Sequence, residues 1–64
     1  LDFYRIITEQ AINYLKTGSF LCFEIGYNQK NDVIKIIEDD QNYKNTYCKK
    51  DLYGNDRIII TQVL

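Results

Sequence analysis

The residues of this chain that could do chemistry close the stretch from Phe20 to Gln29, an apolar run that ends in a glutamate, a glycine and polar residues. Such a run reads as a strand buried on both faces, and the carboxylate, hydroxyl and carboxamide that end it are typical of the edge where an α/β sheet binds ligands. Four of these residues are our candidates for the rim of a binding site: Glu24, Gly26, Tyr27 and Gln29. Gly26 would let the backbone turn tightly there.

Other kinds of site find little support. The sequence has no histidine, no metal-ligand cluster, no phosphate-binding glycine loop and no nucleophile next to a base, so neither a metal site nor a complete small enzyme is expected. A net charge of -1 with no basic stripe argues against direct nucleic-acid binding. No apolar run approaches the roughly 18 residues of a membrane span, and no signal peptide is recognisable. A soluble, cytoplasmic protein without a membrane partner is expected.

The two cysteines could form a disulfide or lie in the core. Cys22 stands inside the apolar run, and Cys48 stands in a stretch that alternates like a strand. Small buried thiols are common in protein cores. We therefore interpret both as core residues.

The chain of 64 residues divides into five elements. Residues 1–16 predict an amphipathic helix whose stripe consists of Phe3, Ile7, Ala11 and Leu15. A buried strand over 19–25 precedes a second helix, which Asn28 could cap and which runs to about Asp40. Residues 43–50 are half polar and rich in lysine, as expected of an edge strand, and a turn over 51–56 leads into an apolar strand over 57–63.

The order of elements is helix, strand, helix, strand, strand. The first two strands should run parallel across a right-handed crossover, and the last strand should insert antiparallel between them. The far side of the strand from Phe20 to Ile25 then has no neighbour within the chain. An unpaired apolar edge favours association, so we expect self-association there.

Four stretches together resemble one protein family, and the resemblance covers nearly the whole chain. They match the C-terminal end of the HemK-type protein-glutamine N-methyltransferases, which modify peptide chain release factors. The stretches are Leu1-Asp-Phe-Tyr-Arg5, Tyr14-Leu-Lys-Thr-Gly18, Glu24-Ile-Gly-Tyr-Asn-Gln29 and Lys50-Asp-Leu-Tyr-Gly-Asn-Asp-Arg57. The resemblance implies an α/β fold, the C-terminal portion of a class I methyltransferase (Rossmann-like) sheet, with residues 1–64 forming an incomplete catalytic domain. The chain begins without a methionine, which suggests a segment of a longer polypeptide.

The family transfers a methyl group from S-adenosylmethionine to the side-chain amide of a glutamine. Its cofactor loop and its Asn-Pro-Pro-Tyr motif are absent here, so the resemblance implies no cofactor binding, no catalytic residue and no activity for this chain alone. It also implies that Glu24 helps to shape the glutamine-side rim. The alternative for Glu24 is a purely structural role, as a carboxylate that caps the next helix or faces water. The alternative function is a small interaction module that recruits a partner through its exposed strand edge.

Overall fold

A computed structural model describes residues 2–64 of the protein. It contains α1 (Asp2–Ala11), β1 (Phe20–Glu24), α2 (Lys30–Asp40), β2 (Tyr43–Lys50) and β3 (Asp56–Val63). The predicted order of elements is confirmed. Leu1, which begins both the predicted first helix and the first of the four stretches, lies outside the described residues.

The three strands form one sheet in the order β1-β3-β2. β3 is antiparallel to both neighbours, so β1 and β2 run parallel to each other, as the sequence predicted. β3 takes the centre because its side chains are apolar enough to be covered, and Ile59 and Thr61 are fully buried. The lysine-rich β2 lies at an edge, where its charges stay in water.

Both helices cover the same face of the sheet. The ring of Tyr4 in α1 packs edge-on against Phe23, with 5.3 Å between ring centroids, and the hydroxyl of Tyr43 donates to the carbonyl oxygen of Thr8 at 2.6 Å. From α2, Val33 and Ile37 enter the same core. The core cluster consists of Phe23, Ile25, Val33, Ile37, Tyr43, Ile59 and Val63.

The opposite face of the sheet, called here the open face, has no helix over it among the described residues. Phe20 is 59% exposed and Cys22 is exposed, so the prediction of a strand buried on both faces is wrong for β1. The strand pairing places Tyr47, Ile60 and Cys22 in one row across this face. Strand side chains alternate between faces, and only one face receives helices.

The cysteines are free, and only one of them contacts the core. Cys48 is half-buried against the core, as predicted, whereas Cys22 lies on the open face and its core assignment is wrong. Cys22 pairs with Ile60 and Cys48 pairs with Ile59, so the two thiols lie on opposite faces. That geometry rules out a disulfide between them.

The helices also depart from the sequence prediction in detail. α1 ends at Ala11 instead of Lys16, and its packed face centres on buried Thr8, which leaves Phe3 65% exposed. Gln29, not Asn28, precedes α2, and no side chain caps that helix. No helix within residues 2–64 has the length and apolarity to cross a membrane.

Candidate functional site at the carboxyl edge of the sheet

β1 and β2 end at the same edge of the sheet, called here the carboxyl edge. The loop over residues 25–29 follows β1, and the turn over residues 51–55 follows β2. A cavity of about 470 Å³ lies between them, and Glu24 contributes to its wall. Its remaining lining residues are Ile25, Lys49, Lys50, Asp51, Arg57 and Ile58. The structure therefore brings the β2–β3 turn to the predicted rim, a neighbourhood that short-range sequence patterns do not reveal.

Gln29 and Gly26 hold the loop after β1 in shape. The Gly26 N–H donates to Oε1 of Gln29 at 2.8 Å, and the Gln29 N–H donates back to the Gly26 carbonyl at 3.1 Å. The Tyr4 hydroxyl lies 3.2 Å from the same Oε1 and 3.1 Å from the carbonyl oxygen of Glu24, so it can donate to either. A Cβ atom on Gly26 would lie 3.1 Å from Oε1, so a larger residue there would require the Gln29 amide to shift by a few tenths of an ångström. Gln29 thus positions the loop.

Glu24 and Tyr27 are the rim residues with side chains free to meet another molecule. The Glu24 carboxylate is exposed, caps no helix and makes no ion pair within residues 2–64. Tyr27 is 74% exposed and borders a second cavity of about 260 Å³, shared with Asn28, Lys30, Asn31 and Asp56. The four candidates therefore separate into two that build the loop and two that face solvent.

The β2–β3 turn is built around the carboxylate of Asp51. Its Oδ1 accepts the N–H groups of Tyr53 at 2.8 Å and Asn55 at 3.0 Å, and its Oδ2 accepts Nε of Arg57 at 3.1 Å. The Asn55 N–H above all, with Tyr53 and Arg57, holds the pKa of Asp51 below its ordinary value. Gly54 has φ +83°, a backbone conformation that glycine adopts without strain, and Arg57 forms an ion pair with the Asp51 carboxylate.

A second ion pair closes the base of the turn. Nζ of Lys50 lies 2.9 Å from Oδ1 of Asp56. The hydrogen bond between them lowers the pKa of Asp56 and raises that of Lys50. Because two of the turn's carboxylates are neutralised by its own cations, the site has little net field with which to attract an ion.

The open-face side of this cavity combines an acidic, a basic and an apolar side chain. On the open face Glu24 and Lys49 flank Ile58, each pairing with it from opposite sides. In this row Glu24 can accept hydrogen bonds and Lys49 can donate them, on opposite sides of the apolar Ile58. Within residues 2–64, no three His, Cys, Asp or Glu side chains are placed to hold a metal ion.

Comparison with known proteins finds similar sequences in bacterial methyltransferases. The chain is 48% identical over 62 residues to a release factor glutamine methyltransferase of Fusobacterium nucleatum, which covers 97% of the chain and 17% of that relative. It is 46% identical over 59 residues to one of Flavobacterium psychrophilum, covering 92% of the chain and 20% of the relative. A bifunctional methyltransferase of Rickettsia felis is 38% identical over 61 residues, covering 94% of the chain and 11% of the relative.

The chain spans about a fifth of the length of the first two relatives. No family model matches it, and no solved structure matches it either. The similarity extends across the loop after β1 and the β2–β3 turn, since nearly the whole chain is covered.

Proposed function

We propose, for a chain that belongs to the HemK-type release factor glutamine methyltransferases, that residues 1–64 are the C-terminal portion of the catalytic domain. In this proposal the carboxyl edge faces the protein substrate. The observation that carries it is the convergence of two family-like stretches, 24–29 and 50–57, on one cavity of about 470 Å³. Ligands of open α/β sheets bind at this edge.

The topology supports the same assignment. An antiparallel strand inserted between two parallel ones is the arrangement that the family resemblance implies for the end of a Rossmann-like sheet. The other side of β1 pairs with no strand among residues 2–64. A preceding strand of the parent polypeptide would continue the sheet there.

S-adenosylmethionine, the family's cofactor, would supply an electrophilic methyl group, and we propose that the loop after β1 does not hold it. In the loop after β1, the N–H groups of Gly26 and Gln29 are already bonded within the loop. They therefore offer no donors to a carboxylate or ribose. We assign this chain no step on the methyl group, and we propose that Glu24 and Tyr27 orient the substrate backbone.

The decisive test is a chimera in which this chain replaces the matching segment of the Fusobacterium nucleatum relative. We expect the chimera to methylate a release factor on glutamine, detected by mass spectrometry. Glu24→Gln should lower kcat/KM for the release factor about fivefold by removing a charged hydrogen-bond acceptor. Glu38→Gln, an exposed carboxylate at the end of α2, is the matched control and should have no effect.

A chimera that folds but transfers no methyl group would contradict the proposal. The isolated chain offers a complementary measurement, because titration calorimetry with S-adenosylmethionine should show no saturable binding. Micromolar binding would contradict the assignment of the cofactor site to other parts of the enzyme.

The second candidate function is a small interaction module. The observation that favours it is the unpaired edge of β1 beside the apolar open face, where a partner's strand could add. If the chain acts this way, it should capture extended peptides without any other part of a methyltransferase. An active chimera together with a monomeric isolated chain would exclude this function.

A further inference from the structure

Among residues 2–64, the most exposed large apolar side chains lie at the apex of the β2–β3 turn. Leu52 is 101% exposed and Tyr53 is 90% exposed. A single exposed apolar residue is ordinary on a protein surface. Here an aliphatic and an aromatic side chain stand together, and this pair is called the turn apex.

The turn apex is held by a dense set of hydrogen bonds. Besides the three bonds to the Asp51 carboxylate, the Asp51 N–H donates to the Asn55 carbonyl at 2.9 Å and the Gly54 N–H donates to the Asp51 carbonyl at 3.1 Å. Lys50 and Asp56 close the base with their ion pair. The backbone that carries Leu52 and Tyr53 is therefore ordered, although neither side chain lies in the core.

Order of this kind has a consequence for binding. A side chain on a preformed frame loses less conformational entropy when it enters a partner's pocket, and tyrosine is enriched among the residues that dominate interface energies. The charges of the frame are paired internally, Asp51 with Arg57 and Asp56 with Lys50. The apex thus suits an apolar pocket better than a charged one.

The position of the turn indicates which partner that is. The frame residues Lys50, Asp51 and Arg57 line the same cavity as Glu24, at the edge where substrates of such sheets bind. We propose that Leu52 and Tyr53 insert into an apolar pocket of the protein whose glutamine is methylated, away from the reacting amide. This inference rests on the proposed function.

The experiment uses the chimera described above and a bacterial release factor as the probe. The double variant Leu52→Ala/Tyr53→Ala should raise KM for the release factor about tenfold and weaken its binding about as much, measured by calorimetry. The KM for a short Gly-Gly-Gln peptide, kcat and the melting temperature should stay unchanged. Tyr14→Ala is the matched control, because Tyr14 is 85% exposed but lies between α1 and β1.

Each other result contradicts the inference in a recognisable way. Equal release-factor affinity in the double variant and the unvaried chimera would overturn it, as would an unvaried chimera that binds no release factor. An equal loss with the peptide, or a lower melting temperature, would show that the apex supports the site or the fold instead. A chimera that binds release factor through the apex but transfers no methyl group would leave this inference standing and contradict the proposed function.

Discussion

The two edge strands of the sheet, β1 and β2, differ in how readily they can pair with a further strand. β2 presents Lys44, Lys49 and Lys50, and its pairing with β3 shifts register between Lys44 and Tyr47, where Asn45 adopts φ +56°. β1 has the sequence Phe-Leu-Cys-Phe-Glu, with no lysine and no irregularity in its register. Lysines and bulges are devices that discourage strand addition. β2 therefore has the features of a strand that ends a sheet, whereas β1 has the features of a strand that can pair on both sides.

The backbone hydrogen bonds of β1 show which of its N–H and C=O groups are available to a further strand. Ile25 donates its N–H to Arg57 at 2.8 Å, and Ser19 accepts from the N–H of Val63 at 2.8 Å, so odd-numbered residues face β3. Residues 20, 22 and 24 then direct their N–H and C=O groups outward. Of these, the Glu24 carbonyl lies near a donor, the Tyr4 hydroxyl at 3.1 Å.

The largest effect is expected on self-association of the isolated chain through β1. A second copy can pair antiparallel about Cys22, and a lysine there would place two like charges opposite each other. Cys22→Lys should weaken association on the order of a hundredfold, measured by sedimentation equilibrium. Tyr47→Lys is the matched control, because Tyr47 and Cys22 flank the same residue, Ile60, from opposite edges.

Equal loss in both variants would mean that the open face, not the edge, drives association, and a monomeric unvaried chain would refute self-association altogether. Oxidation adds an independent measurement. Two Cα atoms opposite each other in a hydrogen-bonded antiparallel pair lie about 5.5 Å apart, within disulfide range. Diamide, which takes up the two electrons and two protons, should trap a dimer that Cys22→Ser abolishes and Cys48→Ser retains.

The bulge of β2 gives the next largest effect. Asn45 tolerates its positive φ, whereas a β-branched residue does not. Asn45→Val should lower the free energy of unfolding by about 1 to 2 kcal/mol, measured by chemical denaturation. Asn45→Gly should be neutral or slightly stabilising, and a destabilised glycine variant would show that the Asn45 side chain matters more than its backbone.

Each edge strand is also joined to α1 by a hydrogen bond from a tyrosine hydroxyl, and the two hydrogen bonds should differ in their contribution to stability. Burial and the nearby Asp40 raise the pKa of Tyr43, whose bond to the Thr8 carbonyl is buried. Tyr43→Phe should cost about 1 kcal/mol of unfolding free energy. Tyr4→Phe removes a hydroxyl that is shared between the exposed Glu24 carbonyl and the part-buried Oε1 of Gln29, where water can take its place, and it should cost about 0.5 kcal/mol or less. The reverse ranking would contradict this account.

The smallest effect concerns the ion pairs at the end of β2. The pKa values of Asp51 and Asp56 are lowered in the folded protein, so their stabilisation is present above about pH 4 and is lost as the pH falls through the lowered values. Melting temperatures between pH 7 and pH 2.5 should therefore fall less steeply in Asp51→Asn than in the unvaried chain. Asp32→Asn, an exposed carboxylate of α2, should leave the slope unchanged.

The identity and order of the elements could be predicted because each depends on local patterns of apolar residues and glycines. Burial was harder to predict, as Cys22 shows: an apolar run does not reveal whether a second layer covers it. The role of Gln29 in holding the loop after β1 could not be predicted from the sequence either. Its amide bonds to Gly26 within the same loop and to Tyr4 from a distant helix, and only the first partner is close in sequence.

By itself the sequence determined the elements, their strand order and the family, because periodicity, turn residues and family-like stretches are properties of neighbours along the chain. Only the tertiary structure decided which sheet face is open, which rim residues are free, and that the turn carrying Leu52 and Tyr53 stands beside Glu24. Those outcomes depend on contacts between residues far apart in the chain. Such contacts form only when the helices pack against one face of the sheet.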